Sequence, residues 1–552
     1  MSKEETNLEL LEARTEGTEE PSGAAAPAPM AADADATEAD VSEADLDQEE
    51  QEKQPMTGGA ERPQDAASAG GEPPAAEKNG AVKLKMPEEA EEATFTGLNK
   101  EELLRVAGTP GWVRTRWGLL VVFWLGWLGM LLGAVVIVLQ APRCRDLPVT
   151  NWWNNGPLYQ IGSIQAFTNA QNLKGLEQKM DLLSQLKVKG LVVGPIHVAP
   201  PDEAMSLRFE EISPEAGNLE QFKGVIQAAH RRGISVVLDL TPNYQGSNGP
   251  WFFNTSVTNV AERMKSALVF WLNEGVDGVQ LSGVERVSSV VPSLWSDIRA
   301  IIQNGTAEGS NKRVLIGTTE LSSAEDVSSL LTSSGVDLLI SRVLRSVDVE
   351  ATERARAIQL LYSSHSQTNL AWSLGGRAEG HLASLVGPAL VKVYQLLLLT
   401  LPGTPVFNYG DEIGLMDEST NFPKMLWDSG ENLNETLQES SERVSCRSFF
   451  RTVSELRGKE RSLLFGDLML VSNSSTSLAY LRVWDQSQRY LAVFNWAEEA
   501  AQLELRGPAL PRRAAVVLST NSSAPPADSS VDLTELRLGP LQAALLRFPY
   551  SE

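Results

Sequence analysis

Residues 117–139 read WGLLVVFWLGWLGMLLGAVVIVL and include no charged side chain. As an α-helix, this run would extend roughly 34 Å, enough to cross the hydrocarbon core of a bilayer with some tilt. It separates two kinds of material. Residues 1–100 hold 25 Asp and Glu against 8 Lys and Arg, a net of −17 out of −24 for the whole chain. The first 110 residues are rich in Ala, Glu, Asp, Pro, Gly and Ser and have almost no aromatics. Such a segment buries too little apolar surface to offset chain entropy, so a disordered acidic tail is expected over 1–110. Within it, 96–104 reads either as a short amphipathic helix or as a partly ordered linker. An acidic chain lacks the basic surface that nucleic acid requires, and no nucleic-acid partner is expected.

The opening MSKEETNLEL has neither the basic n-region nor the apolar h-region of a cleavable signal. The run 117–139 is therefore expected to act as signal and anchor together. Lys100, Arg105, Arg114 and Arg116 precede it, and Arg143 and Arg145 follow it. This modest bias places the N-terminus in the cytoplasm. The N-x-S/T sequons at Asn254, Asn304, Asn434, Asn473 and Asn521 all lie beyond the run, which agrees with a lumenal and then extracellular C-terminal region. A single-pass type II membrane protein follows. Gly126, Gly129 and Gly133 include a G-x-x-x-G spacing, either a helix-packing face or the ordinary glycine content of membrane helices. Trp112, Trp117, Trp152 and Trp153 suit the two bilayer interfaces.

Two cysteines cannot build a disulfide scaffold. Cys144 lies in a stalk, 140–157, five residues past the apolar run and on the oxidising side. There it meets few residues of its own chain, and the reading favoured is a disulfide to another membrane protein. An internal Cys144–Cys446 bridge is the alternative. Cys446, in RVSCRSFF, fits better as a small buried apolar residue on a helix.

From residue 158 the texture alternates. Strands are expected at 159–164, 190–193, 235–240, 276–281, 314–316, 338–340, 369–372 and 405–408. Amphipathic helices stand between them, the first two marked by Leu176, Met180, Leu183 and Leu186 and by Phe222, Val225, Ile226 and Ala229. Eight such alternations predict an α/β ectodomain, a (β/α)8 TIM barrel over 158–450. Short alternating runs at 468–471, 478–483, 490–494, 500–505, 514–518 and 543–548 predict an antiparallel β domain over 451–552. No G-x-G-x-x-G or P-loop follows a strand, and His197, His230, His365 and His381 have no metal-ligand spacing. No cofactor and no metal are expected.

Three stretches are more specific. Ala229 to Asn243 (AHRRGISVVLDLTPN), Gly275 to Leu281 (GVDGVQL) and Leu398 to Gly414 (LLTLPGTPVFNYGDEIG) resemble, in order, the third-, fourth- and eighth-strand regions of α-amylase-type glycoside hydrolases. The resemblance implies their barrel and C-terminal β domain over about 158–550. It also implies where a catalytic pair would stand, and the residues there depart from it. Retaining glycosidases need two carboxyl groups about 5–5.5 Å apart. Where the family has an Arg and, two residues on, its Asp nucleophile, this chain has Gln280 and Ser282. Threonines precede Glu320 near the acid/base position, Arg377 stands in the seventh-strand region, and Tyr244 follows Asn243 where the family has His. Asp239 survives without a catalytic partner. Only about sixteen residues separate Leu240 from Val257, so the domain usually inserted there (domain B) is missing, and no calcium site is expected.

An anchored, degenerate amylase-like ectodomain with a juxtamembrane cysteine resembles the heavy-chain subunits of heteromeric amino-acid transporters. Those subunits pair by disulfide with a multi-spanning light chain. Of the two heavy-chain types, this chain is nearer the one without the inserted domain. The resemblance implies a non-catalytic ancillary subunit, with Cys144 as the linking cysteine and the face bearing Gly126, Gly129 and Gly133 packed on the light chain. It implies transport of large neutral, cationic/neutral or cystine/glutamate substrates according to the light chain, and a role with β-integrins. A lone helix without intramembrane charge forms no amino-acid path, so transport would belong to the partner. The competing readings are an anchored glycoside hydrolase using Glu285, Glu320, Asp411 or Glu412, and a stand-alone adhesion or signalling receptor.

Overall fold

The computed structural model describes residues 99–141, 144–252, 254–304, 312–345, 349–427, 437–521 and 526–550. The chain divides into two compact units, 1–115 and 116–552. In the first, helix Lys100–Ala107 is capped by Asn99, whose side chain accepts from the Lys100 N–H at 2.9 Å. This corrects the expected disorder at its inner edge; residues 1–98 lie outside the described residues. Helix Pro110–Gln140 is 31 residues long, starts earlier than the apolar run and has no buried residue. Among the described residues it is the one helix long and apolar enough to cross a membrane.

The barrel strands are β1 (Leu158–Ile161), β2 (Gly190–Val193), β5 (Ser235–Asp239), β6 (Gly278–Ser282), β7 (Val314–Thr318), β8 (Leu338–Ile340), β9 (Ala371–Trp372) and β10 (Thr404–Asn408). A hairpin of β3 (His197–Val198) and β4 (Arg208–Ile212) follows β2. The barrel strands pair in parallel in the order β8-β7-β6-β5-β2-β1-β10-β9, and a parallel bridge from Leu339 to Leu370 closes the ring. Period two decides which side chains fill it. Leu158, Val192, Val237, Val314, Ile316, Leu338, Ala371 and Val406 point inward as one cluster, while Tyr159, Leu191 and Leu238 belong to the layer under the helices. Trp153 closes the N-terminal end of this inner cluster, 1 % exposed, and the Trp152 indole donates to the Lys312 carbonyl at 2.9 Å. Both were expected at a bilayer interface. The barrel floor claims them because its aliphatic inner cluster has no other aromatic side chain to close it.

The β domain comprises β11 (Asp467–Asn473), β12 (Ser477–Val483), β13 (Arg489–Asn495), β14 (Ala501–Leu503), β15 (Arg513–Ser519), β16 (Ser530–Asp532), β17 (Leu536–Leu538) and β18 (Gln542–Phe548). Six strands form one antiparallel sheet, β11-β12-β13-β18-β15-β16, and β14 pairs with β17. The boundary drawn at residue 450 falls inside helix Leu437–Lys459, which packs on helix Val391–Thr400 of the barrel; the sheet begins at Asp467.

Two buried arginines hold the seam between barrel and β domain. Arg457 donates to the carbonyls of Leu399 (2.8 Å), Leu401 (2.9 Å) and Gly403, and Arg482 to those of Thr400 and Gly466. The chain turns sharply there after helix Val391–Thr400, with Gly403 at φ +116, and carbonyls at a helix end need donors from outside the helix. Burial lowers the guanidinium pKa of Arg457 to about 9 and of Arg482 to about 10.

Candidate functional site

The period that fills the barrel also sets its mouth. Two residues beyond Leu158, Val237, Gly278 and Ile316 come Gln160, Asp239, Gln280 and Thr318, all at the C-terminal strand ends. They line a cavity of about 460 Å³ with Ser282, Glu285, Arg342, Arg377 and Phe422. Gln160 Nε2 donates to Gln280 Oε1 at 2.9 Å, and Gln280 Nε2 donates to Asp239 Oδ2 at 3.0 Å. Asp239 Oδ1 accepts from the Thr241 N–H (2.8 Å) and hydroxyl (2.6 Å). Burial pushes the Asp239 carboxyl up, opposed by the Thr241 hydrogen bonds and the Arg377 charge. One surviving carboxylate is thus turned on an amide and a threonine. Ser282, next along β6, accepts through its carbonyl from the Trp251 indole at 3.0 Å.

Arg377 crosses the mouth. Its guanidinium lies 4.9 Å from the Tyr244 ring centre and 5.5 Å from that of Phe422, and Nη2 donates to the Tyr244 carbonyl at 2.9 Å. The side chain rests on Gly162, where a Cβ would come within 3.1 Å of it. Tyr244 donates its hydroxyl to the His197 carbonyl at 2.7 Å. Asn243 ties down the short loop between β5 and helix Asn254–Asn273, the place from which the sequence indicated that an inserted domain is missing. Its Nδ2 donates to Asp202 Oδ1 (2.7 Å) and to the Asn248 carbonyl (3.0 Å), and its Oδ1 accepts from the Asp202 N–H (3.0 Å). Asp202 also accepts from Ser247 and Asn248, and these hydrogen bonds, Asn243's first, hold its carboxyl down at about 2.

Of the other candidate carboxylates, Glu285 and Glu320 are on the lining of the same cavity as Asp239, whereas Asp411 and Glu412 are not. Asp411 accepts from the backbone N–H groups of Leu382 (2.8 Å) and Asn408 (2.7 Å), and Glu412 accepts from the Tyr159 hydroxyl at 3.0 Å; both are buried. Burial raises the Asp411 carboxyl to about 8. Glu320 pairs with Arg342, which also binds Glu379 at 3.0 Å. Glu285 reaches the cavity wall, and its buried Oε2 has no hydrogen-bond partner among the described residues. No three His, Cys, Asp or Glu side chains among the described residues come together as a metal would need. Gln160, Asp202 and Arg342 were missed in the sequence; a polar residue closing an otherwise apolar strand was the available signal for Gln160.

The second candidate region is the stalk. Cys144 is exposed and Cys446 is buried, and the two are unpaired. Cys446 lies on helix Leu437–Lys459, as expected, where it accepts from Gln395 Nε2 at 3.3 Å; burial pushes its thiol up to about 12. Gly126, Gly129 and Gly133 stand on helix Pro110–Gln140 with nothing within 4 Å of a Cβ placed on them. Of the sequons, Asn304, Asn473 and Asn521 are exposed, Asn254 opens helix Asn254–Asn273, and Asn434 lies outside the described residues.

Comparison with known proteins places this geometry. The family described as Solute carrier family 3 member 2 N-terminus matches residues 83–159, and the family Alpha amylase, catalytic domain, matches 167–259. The amino acid transporter heavy chain SLC3A2 of Oryctolagus cuniculus is 44 % identical over 90 % of this chain and 96 % of its own. The heavy chain SLC3A1 of Homo sapiens is 22 % identical over 78 % and 82 %. Among solved structures, the trehalulose synthase MutB from Pseudomonas mesoacidophila superposes with a TM-score of 0.58 at 16 % identity, covering 72 % of this chain and all of that one, which shows the shared fold. The chain belongs to the family of SLC3A2-type amino acid transporter heavy chains, the 4F2 heavy chains.

Proposed function

We propose that the chain is the ancillary, non-catalytic subunit of a heteromeric amino-acid transporter. It links through Cys144 to a multi-spanning light chain and supports that partner's folding, delivery to the plasma membrane and stability. The light chain carries the substrates: large neutral, cationic/neutral or cystine/glutamate. The N-terminus is cytoplasmic, and the ectodomain is extracellular and glycosylated at its sequons. Packing through Gly126, Gly129 and Gly133 and an association with β-integrins belong to the same reading. The observation that carries it is the exposed thiol of Cys144 just past the membrane-capable helix, in a chain 44 % identical to a transporter heavy chain. Gln280 and Ser282 on β6, where a glycosidase needs a carboxylate, support the absence of hydrolysis.

Surface labelling of a light chain expressed with and without this chain tests the proposal. Co-expression should raise the surface pool several-fold. Equal delivery without the heavy chain overturns it.

A further inference from the structure

Arg145 directly follows Cys144 and is docked at three points. Its backbone N–H donates to Asp485 Oδ2 at 3.3 Å, its Nη1 pairs with Asp467 Oδ2 at 3.0 Å, and its guanidinium lies 4.6 Å from the Trp484 ring centre. The receiving surface is firmly built. Asp467 opens β11, and its Oδ1 accepts from the Tyr362 hydroxyl (3.2 Å) on barrel helix Ala351–Ser364. Trp484 is 3 % exposed and packs on Phe465 with ring centres 5.7 Å apart. Asp485 sits in the turn after β12, closed by the Ser487 N–H on the Trp484 carbonyl at 2.9 Å. The stalk itself has no regular structure from Cys144 to Asn151. A fixed surface holds a pliable segment at a single residue.

Reach makes this consequential. The membrane-capable helix ends at Gln140, and the ectodomain's first ordered turn begins at Trp152. Undocked, Cys144 lies eight residues from that turn, up to about 28 Å, whereas docking at Arg145 puts it one residue, about 3.8 Å, from a fixed point on the β domain. A thiol held that closely to the β domain samples a far smaller volume relative to a partner seated against the ectodomain, and effective concentration rises accordingly.

We infer that Arg145 is a positioning residue for covalent coupling, clamping the stalk to the β domain so that Cys144 is presented within reach of the light chain's thiol. This rests on the reading that Cys144 joins a light chain. In that step two S–H bonds break and one S–S bond forms. Two electrons and two protons pass to the disulfide of a thiol–disulfide oxidoreductase. Exposed ion pairs act weakly one at a time, so the three contacts on one residue matter together.

The test is a pulse-chase of the full chain co-expressed with a large-neutral-type light chain, read on non-reducing gels. Arg145→Ala should slow appearance of the covalent heterodimer about threefold to tenfold. Arg145→Glu, which opposes Asp467 and Asp485, should slow it further. Thermal unfolding of both variants should match the unsubstituted chain, because the side chain is half exposed. Covalent coupling at an unchanged rate in both variants overturns the clamp and leaves the proposed function standing. No covalent heterodimer from the unsubstituted chain overturns both.

Discussion

The barrel mouth and the stalk treat their polar groups in opposite ways. At the mouth, Gln160, Gln280, Asp239 and Thr241 form a continuous line of hydrogen bonds, and Arg377 lies near two rings. In the stalk, a thiol stands exposed beside a residue docked on the β domain. At the mouth the polar groups answer one another, whereas the stalk, without regular structure from Cys144 to Asn151, carries an exposed thiol. The two cysteines repeat the contrast, one buried on a helix and one at the surface. Substitutions in the first region should therefore alter stability without altering coupling, and the converse should hold for the second.

The largest stability effect is expected from acid. His197 is fully buried between Phe209 and Tyr244, and burial lowers its imidazole from 6.5 to about 3. The unfolded chain takes up this proton first. The contribution is thus fully present above about pH 6.5 and declines by about 1.36 kcal/mol per pH unit down to about pH 3, some 4–5 kcal/mol in all. Denaturant unfolding across that range should show a shallower slope for His197→Leu. Next in size, Arg457→Met strips three buried carbonyls of their donor and should lower stability by about 3–4 kcal/mol at pH 7, read as a shift in the urea midpoint. Gln280→Glu replaces a donor to Asp239 with a like charge and should cost about 1–3 kcal/mol, without generating glycoside hydrolysis in an assay of the purified chain. Cys446→Ala, which leaves a small gap beside Gln395, should cost about 1 kcal/mol and leave gel mobility under non-reducing conditions unchanged.

Much of the fold was legible because period carries it. Eight strand–helix alternations predicted the barrel, and the resemblance to α-amylase-type hydrolases singled out Asp239, Gln280 and Arg377, which do line one cavity. Short polar elements gave no such signal. The β3–β4 hairpin is two and five residues long with mostly exposed charges on β4, and its pairing depends on neighbours distant in sequence. The seam arginines were equally hidden. Nothing local distinguishes Arg457 or Arg482 from a surface arginine, since their acceptors lie 54 to 58 and 16 to 82 residues away. Trp152 and Trp153 went astray for the opposite reason: their nearness to the apolar run suggested lipid, while the barrel floor offered deeper burial. Arg145 was seen only as a charge after the helix, because its acceptors lie more than 300 residues on.

The most direct measurement is a non-reducing purification of the full chain from membranes, with Cys144→Ser alongside and the attached protein identified. The account predicts a multi-spanning amino-acid transporter subunit, released by reductant from the unsubstituted chain and absent as a covalent species from Cys144→Ser, with the thermal unfolding of the two chains the same. A chain whose mobility is unchanged by reductant, or an adduct that persists in Cys144→Ser, would contradict it.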